Sequence, residues 1–325
     1  MSPQRKNMAV ARIQLLAVIS MGWLVYTPCT LAGRATSMVP DTGTPLADAL
    51  LDSYKPGDDR FSLLGNATKD DVFAEPYPHI FKTNALPQEL YDALAEAFPP
   101  MSKAFKRGYP KNNVRVDMPA FKTLKNYDPN TVSHFPVHAL WQRFVDYHIS
   151  SAFYQKLSEL AGEHIRKSYG NAVVYGNERF KGVSSRTLKR GDRKSSVDLD
   201  CQISYNTPTL TKSSVRGPHI DDSAKIYGSL FYMRHPNDTS KGGDFQVYNC
   251  NGACKPLPPS KIKSSAGHKV HTQFGSGTVS VAKTVPYQAN TLVLFINSKR
   301  AVHGVTPRTP SRLPRIFVNL IGNRL

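Results

Sequence analysis

DLDCQISYN (198–206), IYGSLFYMR (226–234), GDFQVYN (243–249), SGTVSVA (276–282), NTLVLFIN (290–297) and PRIFVNLIG (314–322) decide the fold of this chain. Each run is short, apolar and rich in β-branched or aromatic residues, the length of a strand and too short for a typical helix. Turn chemistry separates them: Asn206-Thr207-Pro208, Lys241-Gly242-Gly243-Asp244, Asn251-Gly252 and Pro286-Tyr287-Gln288-Ala289-Asn290. Many short strands at near-regular spacing predict a sandwich or jelly roll.

Upstream, the periodicity changes. PYPHIFKTN (76–84) reads as a short strand. PQELYDALAEAFP (87–99) follows as a helix, with Leu90, Leu94 and Phe98 on one stripe and Pro99-Pro100 as its stop. A longer helix is predicted over Val137 to Lys167, with Trp141, Phe144, Val145, His148, Ala152, Leu157 and Leu160 on its apolar side. His148 reads there as a core histidine rather than a ligand. Helices first and strands second give an α+β chain, a jelly-roll core buttressed by N-terminal helices.

The chain divides as follows. Residues 1–32 have the layout of a secretory signal. Arg5, Lys6 and Arg12 precede the apolar run Ile13 to Tyr26, and Thr30-Leu31-Ala32 supplies small residues for cleavage. That run is short for a spanning helix, which needs about 20 residues. No charge falls between Ile13 and Gly33, so an uncleaved anchor over 13–33 is the alternative. Either reading puts the rest of the chain in the secretory pathway, or in the periplasm or outside the cell in a bacterium. Asn66-Ala-Thr and Asn237-Asp-Thr are sequons compatible with that fate. Residues 33–74 lack sustained periodicity and read as a linker or variable extension. Residues 75–194 form a mixed helical support region and 195–325 the β core, with 75–325 as one domain.

With 325 residues, 40% apolar and 20% charged, the composition is globular rather than disordered. The net charge of +18 favours acidic partners or an acidic substrate. Its densest stretch, KGVSSRTLKRGDRK (181–194), lacks interleaved aromatics and reads as a solvated loop, and no specific nucleic-acid motif is present. Of four cysteines, Cys250 and Cys254 bracket a three-residue loop and could close a small disulfide, Cys29 lies near the signal, and Cys201 reads as a buried apolar residue. His268 and His271 read as an exposed loop pair.

The chemistry concentrates at RGPHIDD (216–222) and RAVHGVTPR (300–308). On a strand, residues i and i+2 point the same way, so His219 and Asp221 can share one metal. A third ligand must come from a distant strand, and His303 follows the apolar run LVLFIN. Two imidazoles and a carboxylate on one face of an octahedron are the ligand set of non-haem iron(II) oxygenases, which keep open positions for a cosubstrate and oxygen. An arginine nearby could fork onto a distal carboxylate, and Arg308, Arg312 and Arg315 all qualify by position. A single His-x-Asp is a weak signal among ten histidines. The bland alternative is two strand-end histidines beside a solvated acidic turn.

The order RGPHIDD, IYGSLFYMR, GGDFQVYN, NTLVLFINSKRAVHGVTPR and PRIFVNL resembles the 2-oxoglutarate and Fe(II)-dependent dioxygenase superfamily, in its prolyl 4-hydroxylase-like branch. PYPHIFKTNALPQELYDALAEAFP resembles the entry of related oxygenases, so the likeness covers residues 76–98 and 196–325. It implies a double-stranded β-helix (jelly roll, cupin-like), with iron(II) held by His219, Asp221 and His303. It further implies 2-oxoglutarate as cosubstrate, bound by Arg315 with Tyr205 as a second contact, and ascorbate as an accessory reductant. The interval from His303 to Arg315 is slightly longer than the commonest family pattern and that to Arg312 is shorter; Arg315 is preferred because IFVNLIG follows it directly. A carboxylate at Asp221 implies hydroxylation rather than halogenation, with release of succinate and carbon dioxide. The substrate could be protein prolyl, peptide, glycan or small molecule. A reading from a different class is a non-catalytic, basic jelly-roll module that binds acidic ligands.

Overall fold

Alternation between two sheets organises the chain. The computed structural model describes residues 44–100, 112–124, 137–185, 194–250, 256–257 and 272–325, all in one unit, Val39–Leu325. Its strands are β1 (Val72–Phe73), β2 (His79–Thr83), β3 (Arg115–Met118), β4 (Val183–Ser185), β5 (Val197–Asn206), β6 (His219–Ile220), β7 (Lys225–Tyr232), β8 (Phe245–Cys250), β9 (Thr272–Gln273), β10 (Val279–Val285), β11 (Thr291–Ile296), β12 (His303–Val305) and β13 (Arg315–Arg324). The larger sheet runs β1-β2-β11-β7-β13-β5-β3, with β4 also on β5; the smaller runs β10-β8-β12-β6-β9. From β5 onward the chain crosses from larger to smaller sheet and back, through β5, β6, β7 and β8, and again through β11, β12 and β13. That winding of antiparallel strands is a double-stranded β-helix, and with the helices it makes the fold α+β.

Strand alternation gives the larger sheet two apolar faces. Leu199, Ile203, Val318 and Leu320 face the helices, where Leu90, Leu94, Trp141, Phe144, Phe153 and Leu157 cover them. The opposite face, with Tyr232, Phe295 and Phe317, packs on Phe245 and Val247 of β8. Covering both faces explains why every residue of β5 is buried, the polar set Asp198, Asp200, Gln202, Ser204 and Asn206 on one face as well as the apolar set Leu199, Cys201, Ile203 and Tyr205 on the helix side. Trp141 is fully buried with its indole N–H donating to the Leu94 carbonyl at 2.9 Å, which ties the Ala139–His148 helix to the Gln88–Glu96 helix.

Two expectations need correction. The helix expected over Val137 to Lys167 is two, Ala139–His148 and Ser151–Tyr169. Ser150 ends the first segment and caps the second, its Oγ accepting from the Phe153 N–H, a local competition that hydrophobic periodicity does not register. Residues 44–74 are not a linker: a Pro45–Leu50 helix and two 3₁₀ turns carry Tyr54, Phe61, Leu63 and Leu64 into the helix-side core. Single turns have no repeat long enough to show as a pattern. Residues 1–43, most of the basic loop, Cys254, His268 and His271 lie outside the described residues, while Cys201 is a buried free thiol and Cys250 is disulfide-bonded. Among the described residues no helix is long and apolar enough to cross a membrane.

His148 is the core histidine expected. Its Nδ1–H donates to the Phe144 carbonyl at 2.8 Å and its Nε2 accepts from the Leu63 N–H at 3.2 Å, stapling the 44–74 segment to the helices. Burial pushes its pKa down to about 3, so the folded protein holds it neutral while the unfolded chain protonates it below about 6.5. Its contribution to stability is therefore complete above about pH 6.5 and is lost as pH falls toward 3. His148→Gln should flatten the acid limb of the stability profile between about pH 6.5 and 4 relative to the parent, measured by urea unfolding across pH; identical limbs would show that this histidine does not carry the effect.

Candidate metal centre

β12 lies between β6 and β8 in the smaller sheet, and its register places His303 directly opposite His219. The two rings lie 4.2 Å apart between centroids. Asp221 follows β6 by one residue and turns back to them: its Oδ1 is 3.6 Å from His219 Nε2 and its Oδ2 is 3.8 Å from His303 Nε2. One ligand atom from each of the three lies within 4.8 Å of the others, and each side chain is at most 7% exposed.

The proton positions follow from the partners. His219 Nδ1 is 2.9 Å from the Gly217 carbonyl and His303 Nδ1 is 2.9 Å from the Ala301 carbonyl; a carbonyl only accepts, so both Nδ1 atoms carry hydrogen. Each Nε2 then presents a lone pair unless the ring is charged. Burial opposes that charge, lowering the pKa of His219 and pushing that of His303 down to about 3, where His219 adds a secondary lowering influence. Burial also opposes the Asp221 charge, but the Lys225 ammonium beside it leads the influences that hold the carboxyl well below its usual range. Three lone-pair donors thus converge with no proton between them, and the backbone bonds at Nδ1 are the outer-sphere contacts that orient metal-bound imidazoles. Oxygen and nitrogen donors in this facial set suit iron(II), so the residues fit the ion. Two cations approach the donors: Lys225 Nζ is 3.0 Å from Asp221 Oδ2, and Arg216 Nη1 is 3.3 Å from His219 Nε2.

Phe295 and Phe245 rings stand 4.2 and 5.5 Å from the His303 ring, and the aromatic core they begin runs between the sheets to Arg315. Gly228 makes room there: a Cβ would meet Phe295 at 2.9 Å and Asp221 Oδ2 at 3.6 Å.

Arg315 is only 3% exposed. Its Nε donates to the Gly243 carbonyl at 2.9 Å, Nη1 to Asn206 Oδ1 at 3.0 Å and Nη2 to the Tyr232 hydroxyl at 3.0 Å. Every partner is neutral, and no described carboxylate lies within ion-pair distance. The left-handed Gly242-Gly243 turn allows this approach: at Gly242 a Cβ would fall 2.1 Å from the Pro307 carbonyl oxygen, and at Gly243 3.2 Å from Arg315 Cδ. The other two arginines do different things. Arg308 is buried against Asp238 at 2.7 Å and Arg312 is exposed.

Tyr205 is not brought to this site. Its hydroxyl donates to the Pro99 carbonyl and its ring meets Phe98 edge-on at 5.3 Å, on the helix side of β5. Strand alternation puts its neighbour Asn206 on the inner face instead, paired with Arg315. The tyrosine on Arg315 is Tyr232, from the all-buried strand β7, where sequence offers no sign of which face a residue takes. Asn206 Nδ2 is buried without a partner. Arg216 and Lys225 were also missed; each lies three or four residues from a proposed ligand, a spacing that carries no signal off a helix.

No protein-family model matches the chain, and no curated protein matches it. Among solved structures, it is similar to a Pseudomonas putida prolyl-4-hydroxylase at 10% identity, covering 76% of this chain and 92% of that one with a TM-score of 0.34. It is similar also to the epimerase SnoN, solved with Fe3+, alpha ketoglutarate and nogalamycin RO, at 11% identity, 76% and 78% coverage and TM-score 0.37. A third is the Fe(II)/alpha-ketoglutarate-dependent dioxygenase TqaL, at 15% identity, 76% and 82% coverage and TM-score 0.37. The latter two are described with iron and alpha-ketoglutarate; at such scores the likeness assigns neither family nor substrate to this chain.

Removing a donor should be felt directly by the ion. His219→Ala and Asp221→Ala are each expected to weaken ferrous-ion binding by more than about a hundredfold, beyond the 10–100-fold typical of outer-sphere partners. Anaerobic titration followed by metal analysis checks this, and parent-like affinity in either variant would remove that residue from the set.

Proposed function

We propose that the protein is a 2-oxoglutarate- and iron(II)-dependent oxygenase of hydroxylase type, in which His219, Asp221 and His303 hold the metal. The carrying observation is the buried Arg315 guanidinium, which shares the inter-sheet core with the three donors and has only neutral partners. Burying a cation without a counter-ion costs several kcal/mol, so the site favours an anion. A dicarboxylic keto acid satisfies both ends at once: one carboxylate for the Arg315 fork, and a keto-carboxylate for the metal.

When bound, iron supplies oxygen activation coupled to decarboxylation of 2-oxoglutarate, giving succinate, carbon dioxide and an oxidised substrate. The chain's own residues supply position. The Nδ1 bonds of His219 and His303 fix both rings. Lys225 steadies Asp221. Tyr232 and Asn206 set the plane of the Arg315 fork, and Asn206 Nδ2 is a further donor toward the anion. Phe245 and Phe295 keep the His303 side dry. Ascorbate belongs to the reading as an accessory reductant.

The order of motifs supports a prolyl 4-hydroxylase-like branch, with a protein prolyl, peptide, glycan or small-molecule substrate. The N-terminal sequence supports action in the secretory pathway, or beyond the inner membrane of a bacterium, with 13–33 cleaved or retained as an anchor. Asn66 and Asn237 are exposed, as glycan acceptors must be. A non-catalytic basic binding module is not favoured, because it gives no reason for three buried lone-pair donors to converge.

Anaerobic iron(II) plus 2-oxoglutarate should give a weak visible charge-transfer band, and air should then release succinate. His219→Ala should abolish both signals. Arg315→Met should raise the 2-oxoglutarate concentration needed for the band by about 10–100-fold, the worth of a charge-assisted pair, while leaving iron binding near the parent value. A parent protein with no band and no succinate would sink the enzyme reading.

A further inference from the structure

Arg216 holds two contacts that a metal ion removes. Its Nη1 lies 3.3 Å from His219 Nε2 and 3.8 Å from Asp221 Oδ1, the atoms assigned above to the ion. A bound cation occupies the imidazole lone pair and offsets the carboxylate charge, leaving this guanidinium without either partner. Its Nε and Nη2 make no hydrogen bond to any described residue.

The other charges facing Arg216 are Arg115 and Asp117 of β3. Asp117 is already engaged: Arg115 Nε lies 2.8 and 3.1 Å from its two oxygens, and Ser204 Oγ donates to it at 2.7 Å. Register places Arg115 opposite Asn206 on the inner face, and its guanidinium carbon lies 5.2 Å from the Phe317 ring centroid. Asn319, with its amide oxygen turned toward Arg115, takes Nη2 at 2.8 Å, and Nη1 makes no hydrogen bond to any described residue. Unlike Arg315, these side chains meet solvent: Arg216 keeps 26% of its exposure, Arg115 31% and Asp117 27%. Arg115 and Arg315 lie over the same Phe317 ring, their guanidinium carbons 5.2 and 4.8 Å from its centroid. Around a loaded centre, the metal, Lys225, Arg315, Arg115 and Arg216 outweigh Asp221, Asp117 and a 2-oxoglutarate dianion.

The geometry points to Arg216 and Arg115 as a paired guanidinium subsite, beside the metal, for an anionic group of the substrate, a carboxylate or a phosphate ester. Two planar forks with unused N–H donors match either oxyanion, and neither needs to break a contact that survives metal binding. The subsite deepens the oxygenase reading and rests on it.

The test uses full-length protein loaded anaerobically with iron(II) and saturating 2-oxoglutarate, so that Arg315 is occupied and the charge-transfer band reports an intact centre. Propionate, methyl phosphate and the neutral propionamide are titrated by calorimetry. The expected result is binding of an anion and not of the amide. Arg216→Gln and Arg115→Gln should each weaken it about tenfold or more, the worth of one charge-assisted contact, with the band retained. Lys283→Gln, on outer strand β10, serves as a control for simple charge loss and should change nothing. Whichever anion binds more tightly names the substrate's group. Because Arg216 lies on a loop, its variant tests the subsite independently of β3. An intact band with no anion binding, with amide binding equally well, or with Arg216→Gln matching the parent overturns the subsite alone. No band in the parent overturns the oxygenase reading and the subsite with it.

Discussion

Two neutral imidazoles and a carboxylate face one another inside a β sandwich, and nothing covalent or protonic lies between their lone pairs. That convergence constrains the rest of the structure. Each Nδ1–H is committed to a backbone carbonyl two residues earlier, so neither ring can turn to relieve the crowding. The register of β12 between β6 and β8 sets His303 against His219, and the aromatic stack of Phe245 and Phe295 closes one flank. Lys225 and Arg216 offset the Asp221 charge, and a divalent ion does so with full valence at the centre.

The same logic separates the arginines. Arg308 is buried but brings its own acid, Asp238, and so reads as structure. Arg315 is buried among Tyr232, Asn206 and the Gly243 carbonyl, none of which cancels its charge. A fold selected for stability alone has no use for such a group. Arg216 and Arg115 are intermediate cases, half-open to solvent, with charges poorly matched once a metal claims Asp221. Exposure therefore grades from the enclosed Arg315 fork to the more open Arg216 and Arg115.

Much of this was legible in the residues. The apolar runs from 198 onward became β5, β7, β8, β10, β11 and β13, because strand-length hydrophobic segments between Gly, Pro and Asn turns have few other ways to bury their side chains. His219, Asp221 and His303 were readable from a two-residue spacing and a distant histidine after an apolar run. Less came through where the physics is short-ranged. The Ser150 cap broke one long apolar stripe into two helices. Tyr54, Phe61, Leu63 and Leu64 reached the core from single turns that have no period. The resemblance sets Tyr205 at the cosubstrate, against the alternation of β5 itself, which groups it with Leu199, Cys201 and Ile203 and opposite Asp198, Asp200, Gln202, Ser204 and Asn206.

By itself, the sequence determined the class of fold, the helix-then-strand order and the three side chains, His219, Asp221 and His303, that the fold brings together, all of which depend on local pattern and side-chain chemistry. Only the tertiary structure decided which arginine is buried without an acid, that Tyr232 and Asn206 accompany it, and that Arg216 and Lys225 approach Asp221 with Arg115 near Arg216. Those facts depend on cross-strand register and on which face of a doubly buried strand a residue takes. Register leaves no trace in a sequence, and β7 is largely apolar on both faces, whereas the alternation along β5 does separate Tyr205 from Asn206.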